Sequence, residues 1–108
     1  MSANNATPES LELRALLRAH APQFHSLLKK YGASNPQLFG SVARGDATTG
    51  SDIDILVEMN PNDGNLLMRA SGLLEETRTL FGKPVDIFPA QLLKHPVSKA
   101  ALQEAVVL

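Results

Sequence analysis

Asp52-Ile53-Asp54 is the segment of this 108-residue chain with the clearest capacity for chemistry. On a β-strand, residues two apart project from the same face, so both carboxylates point one way. Like charges that close raise each other's proton affinity unless something positive lies between them. A divalent cation is the usual remedy. Carboxylate oxygens suit Mg2+, which keeps several waters and shares its remaining positions with substrate phosphates. The stretch from Asp46 to Asp63 adds to the local acidity, with five acids and no base. Taken alone, an Asp-x-Asp reads by default as two surface acids on a strand edge.

Three further features count against that default. Gly40-Ser41 ends a predicted strand, ahead of a turn that opens a helix. Glycine there lets the backbone approach a ligand closely, and N–H groups at a helix start, with a serine hydroxyl, form a phosphate nest. Ten residues separate Ser41 from Asp52, enough for a loop that returns to an adjacent strand. A phosphate cradle and metal carboxylates then face the same space. Asp86, between Val85 and Ile87, sits in another apolar strand. An acid there costs on the order of several kcal/mol unless paired or metal-bound. A third ligand for the same cation accounts for it.

These residues need elements to hold them. Thr7-Pro8 reads as a helix start, with Leu13, Leu16, Leu17 and His20 on one stripe until Pro22 interrupts. Phe24, Leu27, Leu28 and Tyr31 predict a second helix, stopped at Gly32. A short strand over 36–39, one helical turn over 42–45 and a loop over 46–51 follow. Alternating Ile53, Ile55 and Val57 predict a strand over 52–59. The spacing of Leu66, Ala70, Leu73, Leu74, Thr77 and Leu80 predicts a helix over 65–81, and Gly82 ends it. Within 83–89, Val85-Asp86-Ile87-Phe88 reads as a short strand bounded by two prolines, and a helical tail over 90–108, broken at His95-Pro96, completes the order α-α-β-β-α-β-α. That order predicts an α/β fold, a short mixed sheet flanked by helices.

The length supports a polar N-terminal arm over 1–8 and one domain over 9–108. Ten Lys plus Arg against eleven Asp plus Glu leave a net charge of −1. A nucleic-acid surface needs a surplus of cations, so direct nucleic-acid binding is not expected. The absence of cysteine excludes a disulfide scaffold, a thiolate zinc site and a thiol nucleophile. The first ten residues lack the charge and apolar core of a signal peptide, and no apolar run is long enough to span a membrane, so a cytoplasmic protein is expected.

The stretch Leu38-Phe39-Gly40-Ser41-Val42-Ala43-Arg44-Gly45-Asp46 through Ser51-Asp52-Ile53-Asp54-Ile55-Leu56-Val57 resembles the nucleotidyltransferase superfamily whose best-known fold is that of DNA polymerase β. It is most similar to the minimal nucleotidyltransferase branch, from about residue 11 to the C-terminus. The resemblance implies a polymerase β-like palm. It implies that Gly40 and Ser41 hold the triphosphate of ATP, that Asp52 and Asp54 ligate two Mg2+ ions, and that Asp86 ligates one of them while helping activate the acceptor hydroxyl. Arg44 would compensate phosphate charge, and Ser51 would touch phosphate. Minimal members are typically antitoxins encoded beside a helical HEPN ribonuclease. Some neutralise this toxin by transferring AMP from ATP to one of its tyrosines. A hetero-oligomer with a cognate HEPN-type toxin is therefore implied.

Plainer readings stand beside these. Arg44 also reads as a solvated charge answering Asp46, and Ser51 as a turn or capping residue. His20, His25 and His95 share no metal-ligand spacing. Tyr31 reads as the end of an apolar helical stripe. Val106-Val107-Leu108 reads as core or as a contact with a partner chain. Among whole functions, a protein adenylyltransferase antitoxin leads, and an antitoxin that blocks its toxin by contact alone is the alternative. Transfer to a small molecule is disfavoured because 22 residues after Asp86 are too few for an acceptor domain.

Overall fold

The computed structural model describes residues 6–48, 50–60, 62, 64–92 and 105–108. Helix α1 (Pro8–Ala19) starts where the sequence predicts, with the Thr7 side chain accepting the Ser10 N–H as an N-cap. The first five residues of the expected arm lie outside the described residues. Thr7 and Pro8, placed in that arm by the domain boundary, belong to the folded helix start. Helix α2 (Ala21–Lys30) begins one residue before Pro22 rather than after it. A proline in the first turn removes an N–H that has no intrahelical partner anyway, so the helices break at His20 instead.

Strand β1 (Ala33–Phe39) begins three residues ahead of the expected strand over 36–39. Its pairing shifts register between Ser34 and Gln37, where Pro36 cannot donate to the ladder. The five-residue helix α3 (Gly40–Arg44) follows directly. Strand β2 (Ile53–Met59) pairs antiparallel with β1, setting Leu38 opposite Ile55 and Phe39 opposite Asp54. Helix α4 (Leu66–Phe81) has Asn65 as its N-cap and Gly82 as its C-cap. It carries the chain across to β3 (Val85–Pro89), parallel to β2.

The C-terminal tail departs from expectation. Residues 90–92 form a 3-10 turn, and 93–104, with the predicted break at His95-Pro96, lie outside the described residues. Val106–Val107 form β4, not a helix, pairing antiparallel with β1. Two adjacent β-branched residues beside an open sheet edge favour a strand. The sheet order is β3-β2-β1-β4, a four-stranded mixed sheet.

The alternation of β2 separates the sheet's two faces. Ile53, Ile55, Val57 and Met59 are buried with Leu38, Val85 and Ile87 against Leu13, Leu17, Phe24, Leu28, Leu73 and Phe81 from the helices. Full burial of each such side chain contributes about 1.5–3 kcal/mol. Asp54, Leu56 and Glu58 face the other way and are only half-buried or exposed. The acids therefore stand, among the described residues, on the face of the sheet opposite the core helices. Among the described residues, no helix is long and apolar enough to cross a membrane.

Tyr31, the C-cap of α2, packs against α4. Its hydroxyl donates to the Glu76 carboxylate, which also accepts from Lys30 Nζ at 2.9 Å. Those partners hold the Glu76 carboxyl below its ordinary range, the tyrosine hydroxyl first. A Cβ at Gly72 would meet Tyr31 Cε1 at 2.6 Å. Gly72→Ala gains about 1 kcal/mol in helix propensity, but overpacking of this kind costs about 1–3 kcal/mol. We expect a lower urea midpoint for Gly72→Ala and a higher one when the same change is made in a Tyr31→Ala background. An equal response in both backgrounds would refute the packing account.

Candidate active site

The site is assembled by three consecutive features of the sheet. β1 delivers the chain to Gly40, whose φ of +74° turns it into α3. β2 returns beside β1, so Phe39 and Asp54 are cross-strand partners. β3 then places Asp86 in register with Asp54 on the neighbouring parallel strand. Gly40, Asp54 and Asp86 thus converge although 46 positions of sequence separate the first from the last.

The approach of Gly40 to Asp54 is closer than any side chain allows. A Cβ on Gly40 would lie 2.5 Å from Asp54 Oδ2. The turn and the carboxylate therefore share one space, as the ten-residue spacing predicts. Ser41 follows as the second residue of α3 and is half-buried. Asp52 lies one residue ahead of β2 and is exposed.

The electrostatics match this crowding. Burial holds the Asp54 carboxyl above its ordinary range, the Asp86 and Asp52 charges push it further, and Arg44 opposes them. Arg44 thus acts on the acidic site through its field while its Nε donates to Asp46 Oδ2 at 3.3 Å. The pair with Asp46 is the one that the solvated-charge reading of Arg44 expects.

Two predicted residues have protein partners of their own. Ser51 Oγ accepts the Thr48 N–H at 2.8 Å, and its own N–H donates to Thr48 O at 3.0 Å. Ser51 closes the loop that leads into Asp52, which is its turn reading. Asp86 is half-buried, with its side chain 42% exposed, on the opposite face of β3 from Val85 and Ile87. It accepts from Arg78 Nη2 at 3.2 Å, while Arg78 Nε donates to Val85 O at 2.8 Å. The desolvation argument for a third metal ligand therefore weakens, since a cation from α4 already answers this acid. Arg78 escaped the sequence reading. Its only signal was a basic residue in the last turn of a helix, a short connector ahead of an isolated strand acid.

The donor set can be tested against a divalent cation. Among the described residues, no three acids or histidines close around one point as a ready metal cage. Asp52 and Asp54 nevertheless supply two hard oxygen donors, near enough for the Asp52 charge to add to the burial that raises the Asp54 carboxyl. Those two residues fit Mg2+. Asp86 shares Oδ1 with Arg78 and has a second carboxylate oxygen to offer.

A short mixed sheet, a Gly-Ser turn over a strand aspartate and a second aspartate on the adjacent parallel strand define a nucleotidyl-transferring palm. The sequence profile of the nucleotidyltransferase domain matches residues 24–108, and the chain belongs to that family. It is 33% identical over 95 residues to protein adenylyltransferase MntA of Thermococcus cleftensis, covering 88% of this chain and 91% of that protein. It is also 33% identical over 97 residues to MJ1379 of Methanocaldococcus jannaschii, provisionally named a protein adenylyltransferase, covering 89% and 93%. A solved structure provisionally described as a minimal nucleotidyltransferase superposes with a TM-score of 0.71 at 36% identity, covering 85% of this chain and 92% of that one. The chain is a transferase of the minimal nucleotidyltransferase type.

Proposed function

We propose that this protein transfers AMP from ATP to a tyrosine hydroxyl of a cognate HEPN-type ribonuclease toxin, as its antitoxin. The observation that carries the reading is the convergence of the Gly40 turn, Asp54 and Asp86 on one face of the sheet. The names of the relatives support a protein as the acceptor.

Gly40 and Ser41 hold the triphosphate through backbone N–H groups and the serine hydroxyl, with Arg44 offsetting its charge. Asp52 and Asp54 would hold Mg2+, which would lower the pKa of the attacking hydroxyl and offset charge on the departing pyrophosphate. Asp86 orients the acceptor hydroxyl and takes its proton. The tyrosine oxygen bonds to the α-phosphorus as the bond to pyrophosphate breaks. Asp54 and Asp86 stand opposite the core helices, the side from which a macromolecular acceptor would approach.

Incubating the protein with ATP, Mg2+ and the toxin encoded beside it, then weighing the intact toxin, tests the reading. We expect adenylate-sized mass increments that localise to tyrosine. An unmodified toxin in a formed complex would overturn it. The Asp86–Arg78 ion pair favours a second reading, inhibition by contact alone. Full neutralisation in cells by an Asp52→Asn, Asp54→Asn variant would select that one.

A further inference from the structure

Helix α1 lies ahead of the matched family profile, which begins at residue 24. Its polar residues nevertheless reach the nucleotide turn from behind. Thr7, Ser10 and Arg14 stand at i, i+3 and i+7, one stripe at the start of the helix. All three contact the backbone of one segment, 42–47. The Thr7 N–H donates to Gly45 O at 2.8 Å, and Thr7 Oγ1 donates to Ala47 O at 2.6 Å. The Ala47 N–H donates to Ser10 Oγ at 2.8 Å, and Ser10 is fully buried. Arg14 Nε donates to Val42 O at 3.0 Å and Nη2 to Ala43 O at 2.6 Å.

The target of these bonds explains their value. A five-residue helix closes too few hydrogen bonds to hold its own axis, so tertiary contacts must hold α3. Val42 and Ala43 supply carbonyls from its last turn, which a helix leaves unpaired and partly negative. Arg14 answers both with one planar fork, a geometry a lysine cannot reproduce. Rotation of α3 about its axis would redirect the Gly40 and Ser41 N–H groups. Fixing its far end fixes their aim.

We propose that Thr7, Ser10 and Arg14 are positioning residues for the phosphate-holding turn, so that nucleotide affinity depends on α1. The inference rests on the reading of Gly40-Ser41 as the nucleotide turn. Arg14→Met, Arg14→Lys and Ser10→Ala test it, with Arg18→Met, one turn further along α1, as control. Fluorescent ATP with Mg2+ is titrated well below every variant's melting temperature, and KM for ATP is measured with the toxin as acceptor.

We expect Arg14→Met to weaken binding and raise KM by roughly 10-fold or more, the usual effect of losing charge-assisted hydrogen bonds. Arg14→Lys recovers part of this, Ser10→Ala weakens binding in the same direction, and Arg18→Met changes nothing. A merely structural stripe would lower the melting temperature and the active fraction while leaving Kd and KM unchanged, and that result would overturn the proposal. A wild-type protein that fails to bind ATP would overturn the functional reading with it. Wild-type binding with unaltered variants would overturn the positioning role alone.

Discussion

Asp54→Asn is expected to lower transfer by on the order of 10³-fold, the scale of several kcal/mol of charge stabilisation, while making the metal-free protein harder to unfold at neutral pH. The two effects have one cause. Burial and the charges of Asp86 and Asp52 raise the Asp54 carboxyl above its ordinary pKa of 3.8. The folded chain therefore binds more protons than the unfolded chain between 3.8 and the raised value. Stability falls as pH rises through that window, and the whole penalty is present above it. An uncharged asparagine removes the penalty. In EDTA, Asp54→Asn should melt above wild type at pH 7, and the difference should vanish below the ordinary value of 3.8. Added Mg2+ should raise the melting temperature of wild type and leave the variant nearly unchanged. Asp86→Asn should behave differently, because it also strands Arg78 without its ion-pair partner. A variant that melts no higher than wild type at neutral pH would sink the account of Asp54 as a strained acid.

The same residue marks how far local pattern reaches. The period of two in β2 tells which way Asp54 points, and the Gly40-Ser41 turn, with ten residues between Ser41 and Asp52, tells what it faces. Likewise Asn65 and Gly82 bound α4 because caps are local chemistry. What stayed hidden was polar contact between elements. Thr7 is legible as an N-cap, but its bonds to Gly45 and Ala47 span 38 and 40 positions of sequence. Arg14 lies 28 and 29 positions from the two carbonyls it holds. No periodicity within α1 encodes such a partner, and Ser10 looks like any small residue in a first turn. The ion pair from Arg78 to Asp86 crosses only eight positions, yet it depends on how the Gly82 cap folds β3 back beside α4. The Val106–Val107 strand was hidden for a related reason, since its partner edge exists only after β1 is placed.

Gly40→Ala is expected to lower transfer by on the order of 10²-fold, at a stability loss small enough to leave the protein folded. Two separable terms act at this position. A φ of +74° strains any residue with a Cβ, by about 1–2 kcal/mol. The new methyl would also stand 2.5 Å from Asp54 Oδ2, which is nearer than atoms can approach. The carboxylate is the end of a rotatable side chain, so it swings aside and the clash itself costs little stability. Its functional cost is large, because Asp54 leaves the space beneath the turn. Gly82→Ala isolates the first term, since Gly82 has a φ of +64° and nothing within 4 Å of an added Cβ. The two variants should lose similar stability by urea unfolding, and only Gly40→Ala should lose activity. In an Asp54→Ala background the clash has no partner, so Gly40→Ala should then change nucleotide affinity far less than it does in wild type. That non-additivity is the signature of direct contact. Equal activity losses in Gly40→Ala and Gly82→Ala would show that backbone strain alone matters, and that the turn and the carboxylate do not work as one site.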